Sequence, residues 1–281
     1  MSKKYVYGLR TCSADMTSYG GFQWPRKGWV EAPDWDSSPV CGGGLHFLRN
    51  GEGDVGLLSG SDDAAWLVTR SRVNETVDVD DGKSKAKCCE VRFAGDKAKS
   101  LVLLRELVGP DKRIPFVCEV AGNRSTQTAG YMSTQTAGDE STQTAGDEST
   151  QTAGHRSTQT AGDKSTQTAG YKSTQTAGCW STQTAGCEST QTAGYGSTQT
   201  AGDGSTQTAG DGSTQAAGDD SIQQAGEGSV FITRWWSGAE QRVLTATAAV
   251  GRDGVLKPDV PYRCKAGVWT EYDGAPLMPR C

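Results

Sequence analysis

Two sets of residues in this chain have the type and spacing for chemistry. The first is Cys41-Gly42-Gly43-Gly44-Leu45-His46, where a thiol and an imidazole flank a glycine turn. A thiol beside a histidine base can serve nucleophilic catalysis. The pair also needs a group to orient the base, and the segment carries neither an orienting acid nor a thiol-enzyme signature. We read it as a tight glycine turn with an incidental thiol, and no enzymatic role is expected. The second set is larger and uncharged. Threonines recur in pairs, as Thr-Gln-Thr, every eight residues through the middle of the chain. Each supplies one methyl and one hydroxyl, a combination that cages and anchors water.

Other chemistries are poorly supported. The nine cysteines (Cys12, Cys41, Cys88, Cys89, Cys118, Cys179, Cys187, Cys264 and Cys281) are scattered, with no C-x-x-C pair, and His46 and His155 are the only histidines. That spacing argues against a zinc site, and no metal or cofactor is expected. A net charge of -5 argues against a nucleic-acid partner, which would require a basic face. No long apolar run follows Met1, so neither a signal peptide nor a transmembrane segment is expected. The default compartment is then the cytoplasm, with reduced thiols.

Only 35% of the 281 residues are apolar, and 37 are glycine. So few apolar side chains cannot offset chain entropy over the whole length, which leaves disorder or a repeat architecture. The register decides for the repeat. Ser-Thr-Gln-Thr-Ala-Gly begins at Ser125 and returns every eight positions to Ser205, giving 11 perfect copies, and two imperfect copies begin at Ser213 and Ser221. A fixed short period specifies a stacked, quasi-one-dimensional fold.

Alternation along a strand places Ser, Gln and Ala on one face and both threonines on the other. The perfect copies hold no large apolar residue, so Ser, Ala and a glutamine ladder must form a narrow interior while the threonines face water. Ala-Gly and two variable residues make the corner. Eight residues at ~3.3 Å trace about 26 Å, most of which two crossings of a ~10 Å gap would consume. Sixteen residues give roughly 53 Å and leave about five residues per face. The expected fold is therefore an all-β solenoid, a parallel β-helix of 16-residue coils with two Thr-x-Thr faces. It should be a rod of about 30 Å at ~4.8 Å per coil.

One face would carry Thr126, Thr128, Thr142, Thr144, Thr158, Thr160, Thr174, Thr176, Thr190, Thr192, Thr206 and Thr208. The other would carry Thr134, Thr136, Thr150, Thr152, Thr166, Thr168, Thr182, Thr184, Thr198 and Thr200. Hydroxyls would stand about 6.6–7 Å apart within a row and about 4.8 Å apart between rows. These threonines are the candidate ice- or water-binding residues. Cys179 and Cys187, one octad apart, should then lie on opposite edges. Cys179 should stack between Asp163 and Tyr195, and Cys187 between Tyr171 and Asp203.

At this point a resemblance emerges. Ala193-Gly194-Tyr195-Gly196-Ser197-Thr198-Gln199-Thr200-Ala201-Gly202 resembles the central repeat of bacterial ice nucleation proteins, and the likeness extends over residues 117–233. It implies a β-solenoid whose Thr-x-Thr rows order water, with ice as the partner and a cell-surface location as an alternative compartment. The family alternates this octad with a second one, whereas here both faces carry Thr-Gln-Thr. The family also has dozens of coils and a tyrosine edge ladder associated with self-association; here tyrosine stands only at Tyr131, Tyr171 and Tyr195 among the corners. Homo-oligomerisation through rod edges or ends is the protein contact this leaves open.

Residues 125–228 hold 11 acids and 3 bases, a net of -8, concentrated at the corners. We read these as solvated edges that keep rods soluble. A calcium-binding β-roll would require a Gly-Gly-x-Gly-x-Asp repeat that the sequence lacks.

The flanks complete three expected domains: 1–116, small and α/β or α+β; 117–233, the solenoid; and 234–281, a β-rich C-terminal cap. Lys4–Arg10, Ala65–Arg70 and Cys88–Phe93 read as strands. A helix capped by Asp96 presents Leu101, Leu104 and Val108 on one face and stops at Gly109-Pro110. Trp24, Trp29 and Trp35 read as core aromatics. Val117–Arg124 and Ser229–Thr233 keep the octad frame with apolar residues in threonine slots, so Val120, Val230, Phe231 and Ile232 are expected to be largely buried as caps. The tryptophan pair Trp235-Trp236 suits a cover over the last coil. Two functions follow: an ice binder or weak nucleator, or a rigid display solenoid whose N-terminal domain binds a partner.

Overall fold

The computed structural model describes residues 4–79, 82–240, 242–251 and 254–272. Cys281 lies outside them. The chain divides into two compact units, Met1–Val117 with Thr128–Tyr131, and Cys118–Gln127 with Met132–Cys281.

The N-terminal unit is built on seven strands: β1 (Tyr5–Cys12), β2 (Gly28–Glu31), β3 (Leu45–Arg49), β4 (Ala65–Arg72), β5 (Thr76–Val79), β6 (Lys83–Ala86) and β7 (Cys88–Gly95). They form one antiparallel sheet in the order β2-β7-β4-β1-β3-β6-β5. Strand alternation gives this sheet two buried faces. On one, Leu9, Leu48, Trp66 and Val68 pack with Leu101 and Leu104 of the helix α1 (Lys97–Val108). On the other, Phe47, Leu67, Cys89 and Val91 pack with Met16 and Trp24. Asp96 caps α1 by accepting a hydrogen bond from the Lys99 amide at 2.9 Å, and Gly109, at φ 94°, ends it. The three expected strands and the helix are all present. Of the tryptophans, Trp24 is buried and Trp29 stands half out in solvent.

The second unit is a parallel β-solenoid. Each perfect octad contributes one three-residue strand, Thr-Gln-Thr, which pairs in parallel with the strand sixteen residues on, as in Thr158↔Thr174 and Thr166↔Thr182. Alternate octads therefore build two sheets, each of nine strands once the flanking strands are included. Cys118–Val120 begins the first, and Thr126–Thr128 begins the second. At the C-terminal end the rule changes to antiparallel pairing. Val230–Ser237 pairs with Arg242–Ala249 on the first sheet, and Ser221–Gln224 with Tyr262–Lys265 and then Val268–Glu271 on the second.

The interior is polar and nearly fully hydrogen-bonded. Every repeat glutamine from Gln143 to Gln223 donates through Nε2 to the Oε1 of the glutamine sixteen residues earlier, at 2.8–3.0 Å. The same amide also reaches across the core to a backbone carbonyl of the opposite sheet, as from Gln143 to Thr152 at 3.1 Å and from Gln151 to Thr160 at 3.1 Å. Serines form a second ladder, each amide donating to the next serine hydroxyl at 3.2 Å in Ser133, Ser141 and Ser149. Low local dielectric makes an unmade bond here costly, so the strict repetition of Ser and Gln is a satisfaction requirement.

Of the four apolar end residues expected to be largely buried, only Phe231 is. Phe231 is fully buried and Val230 and Ile232 are half-buried, but Val120 is 79% exposed. Val120 pairs with Thr136 in an outward column while Glu119 takes the glutamine column. The pleat fixes which way that slot points, and an apolar side chain in it does not turn inward. The same alternation splits the tryptophan pair. Trp235 lies against Gly267, whereas Trp236 is 62% exposed.

Candidate functional site

The threonines occupy the outward slots of every Thr-Gln-Thr strand, and each strand's glutamine points inward. All those of the perfect octads are exposed except Thr128, Thr144, Thr206 and Thr208, which are half-covered. The structure brings Thr134, Thr136, Thr150, Thr152, Thr166, Thr168, Thr182, Thr184, Thr198 and Thr200 together on the first sheet as two straight columns. Thr142, Thr144, Thr158, Thr160, Thr174, Thr176, Thr190, Thr192, Thr206 and Thr208 form the matching columns on the second, whose first strand carries Thr126 and Thr128. With no register shift between coils, rows repeat at the strand spacing of ~4.8 Å. The second face closes earlier than the first. Ile222, in line with Thr206, is buried, and Gln224, in line with Thr208, donates to the Asp259 carbonyl at 2.9 Å.

Successive coils are joined at the corners, whose chemistry the sequence reading missed. Where the first variable residue of a corner is Asp, it is more than a solvated charge. Asp139 Oδ1 accepts from the His155 amide at 2.8 Å, Asp147 from Asp163 at 3.0 Å, Asp163 from Cys179 at 2.7 Å and Asp211 from Glu227 at 3.0 Å. Asn123 and His155 make the same staple to Asp139 and Tyr171. The enrichment of Asp and Asn at that one position was the available signal. The preceding glycine is required by the close approach of the coil below: a Cβ on Gly162 would stand 2.8 Å from the Asp147 amide nitrogen. Carboxylates committed to backbone amides fit a structural role better than a calcium site. Among the described residues no group of three or more His, Cys, Asp or Glu converges in metal-binding range.

The second variable residue adopts φ between 50° and 58° in Arg124, Met132, Glu140, Glu148, Arg156, Lys164, Lys172, Trp180 and Glu188. Its side chain points away from the rod and pairs along the edge, as Arg124 with Glu140 at 2.8 Å and Lys172 with Glu188 at 3.0 Å. The Tyr171 hydroxyl and then the Lys172 ammonium hold the Glu188 carboxyl below the usual carboxylate range. Charge is thus kept to the edges, and the two faces stay neutral. The Cys179 amide donates to Asp163 and the residue lies beside Tyr195, while Cys187 lies between Tyr171 and Asp203, on the opposite edge, as the sixteen-residue coil requires.

Cys41 and His46 both line a cavity of the N-terminal unit. The Cys41 sulfur accepts from Lys83 Nζ at 3.1 Å, and among the described residues no hydrogen bond joins it to the His46 ring.

Fold and faces together define a two-sheet parallel β-solenoid with neutral, outward threonine arrays on both sides. Residues 180–206 match the ice nucleation protein repeat, as the octads led us to expect. The chain is similar to an ice nucleation protein of Xanthomonas campestris pv. translucens, 59% identical over 97 residues, which are 34% of this chain and 6% of that protein. Ice nucleation protein InaU of Pantoea ananas is 40% identical over 104 residues, 36% of this chain and 10% of the relative. One from Pseudomonas syringae is 34% identical over 90 residues, 32% of this chain and 8% of the relative. The chain thus spans a tenth or less of these relatives' length. Residues 6–104 match a domain of unknown function, DUF7666. No solved structure matches the chain. No helix among the described residues is long and apolar enough to cross a membrane.

Proposed function

We propose that the two threonine faces bind ice or ice-like water, and that a single short rod acts as an ice binder or weak nucleator. The observation that carries this reading is the unbroken outward threonine columns, held in one register by the glutamine and serine ladders behind them. Two-dimensional regularity matches a crystal and is superfluous for a small soluble ligand. Methyls cage first-layer water and hydroxyls anchor it. The similarity of the repeats to those of ice nucleation proteins supports the reading. Nucleation demands a template comparable to the critical ice embryo, and a rod of about 30 Å is small for that; adsorption to existing ice asks less.

The test is thermal hysteresis and droplet-freezing temperature of the purified protein beside two variants. One carries Thr158→Lys, Thr174→Lys and Thr190→Lys, and the second adds Thr150→Lys, Thr166→Lys and Thr182→Lys. The first should lose part of the activity and the second nearly all. Unchanged ice shaping and freezing in the six-fold variant sink the proposal.

A second reading makes the rod a spacer that displays the N-terminal unit. It is favoured by that unit's own two-sided core and cavity. Full activity of a rod bearing lysines on both faces would leave this reading standing.

A further inference from the structure

The N-terminal unit contains a cavity of about 760 Å³, a volume typical of small-molecule sites. Its walls include Leu9, Phe22, Trp24 and Phe47, and at its rim the Tyr19 ring stands wholly exposed. Into this apolar space comes Arg10. Its guanidinium stacks on the Trp24 ring at 4.0 Å and donates through Nη1 to the His46 carbonyl at 3.1 Å. Among the described residues its buried Nε has no hydrogen-bond partner and no carboxylate pairs with it.

An arginine remains charged in a protein, and a half-buried one without a counter-ion is an unusual expense of folding. The Cys12 and Cys89 thiols beside it are both pushed upward by burial and are therefore neutral at neutral pH, so they supply no counter-charge. His46 lines the same cavity, and its Nε2 is also buried and unpartnered. Among the described residues the lining carries one carboxylate, Asp34, whose Oδ1 accepts from the Gly44 amide at 3.1 Å. A second cation, Lys83, stands against Cys41 at 3.1 Å. The cavity is thus mainly apolar and, among its described residues, supplied with two unmet polar atoms, Arg10 Nε and His46 Nε2.

We infer that this cavity binds a small organic anion, an apolar body bearing a carboxylate or sulfonate head, with the head on Arg10 and the body against Trp24 and Phe22. The head supplies the counter-ion that the fold lacks, and a bidentate acid fits the guanidinium fork. This is a function of the N-terminal unit, independent of the threonine faces.

The test uses the full chain and two fluorescent probes with one aromatic body, anionic 8-anilinonaphthalene-1-sulfonate and neutral N-phenyl-1-naphthylamine. The anion should saturate one site and bind at least about tenfold tighter than the neutral probe, as expected for pairing with a desolvated cation. It should also slow iodoacetamide alkylation of Cys41 about fivefold or more while leaving Cys187 on the rod unchanged, because Cys41 lines the cavity. Arg10→Gln should abolish the preference for the anion and keep binding of the neutral probe. If that variant does not fold, the two wild-type measurements decide. Equal affinity for both probes, or alkylation of Cys41 that the anion does not slow, overturns the inference.

Discussion

Phe231 stands in the column that glutamine fills from Gln135 to Gln215, and the Oε1 of Gln215 beneath it is buried without a hydrogen-bond partner. The glutamine ladder runs in one direction, each amide donating towards the N-terminus, so the last carbonyl has no donor above it. In the other sheet the corresponding oxygen, on Gln223, is satisfied by the Thr233 hydroxyl at 3.2 Å. One sheet thus ends on an apolar plug with one orphaned acceptor, and the other ends on a hydroxyl.

Phe231→Gln measures that choice. A glutamine would supply the missing donor, worth about 1–2 kcal/mol for a buried acceptor. It would also remove a ring packed with Tyr262, Leu256 and Trp269, a loss of about 3–4 kcal/mol. The variant should be less stable by about 2 kcal/mol in urea denaturation. A gain in stability would mean that the plug contributes little and the ladder dominates.

Gln167→Leu probes the ladder in mid-rod. The substitution removes the bonds from Gln167 to Gln151 and to the Thr176 carbonyl, and strips Gln183 of its acceptor. Stranded buried partners should cost about 3 kcal/mol, against under about 0.5 kcal/mol for Thr166→Val on the adjacent surface. Equal effects at the two positions would refute the claim that hydrogen bonding organises the interior.

At the corners, Asp147→Ala should destabilise by about 1 kcal/mol, because the Asp163 amide loses its acceptor. Asp147→Asn keeps an acceptor oxygen and should be nearly neutral. If instead the asparagine behaves like the alanine, negative charge rather than the amide staple is what the corner needs.

The N-terminal unit should lose stability in alkali through Cys89. Burial pushes this thiol up to about 12 from an ordinary 9.0, with the Ser71 hydroxyl at 3.0 Å opposing the shift. A raised folded-state value means that the contribution of the neutral thiol is complete below pH 9 and is lost as pH rises through about 12. Thermal melts of Cys89→Ala should therefore decline less between those limits than melts of the parent protein. Parallel decline would assign the alkaline loss to other groups.

Much of the rod was legible because its determinants are local and repeated. Alternation assigns Thr outward and Gln inward within a single strand, and the length of chain needed to cross the interior twice demands sixteen residues per coil. Those two facts place Thr158 over Thr174 and separate Cys179 from Cys187 without reference to any other part of the molecule. Asp96 and Gly109 likewise bound their helix through contacts a few residues away. The corner staples were not legible because a carboxylate at a turn has the same composition whether it meets water alone or also an amide sixteen residues on; only stacking supplies the Asp163 amide to Asp147. Val120 kept its outward slot because register, set by its pairing with Thr136, overrides the side chain's own preference. Ile222 went the other way, buried although it stands in line with outward Thr206. The meeting of Arg10 with Trp24, and the order in which β1, β3 and β4 come together, depend on pairings between segments tens of residues apart. Such long-range contacts leave no period in the chain, so the tertiary structure alone decided them.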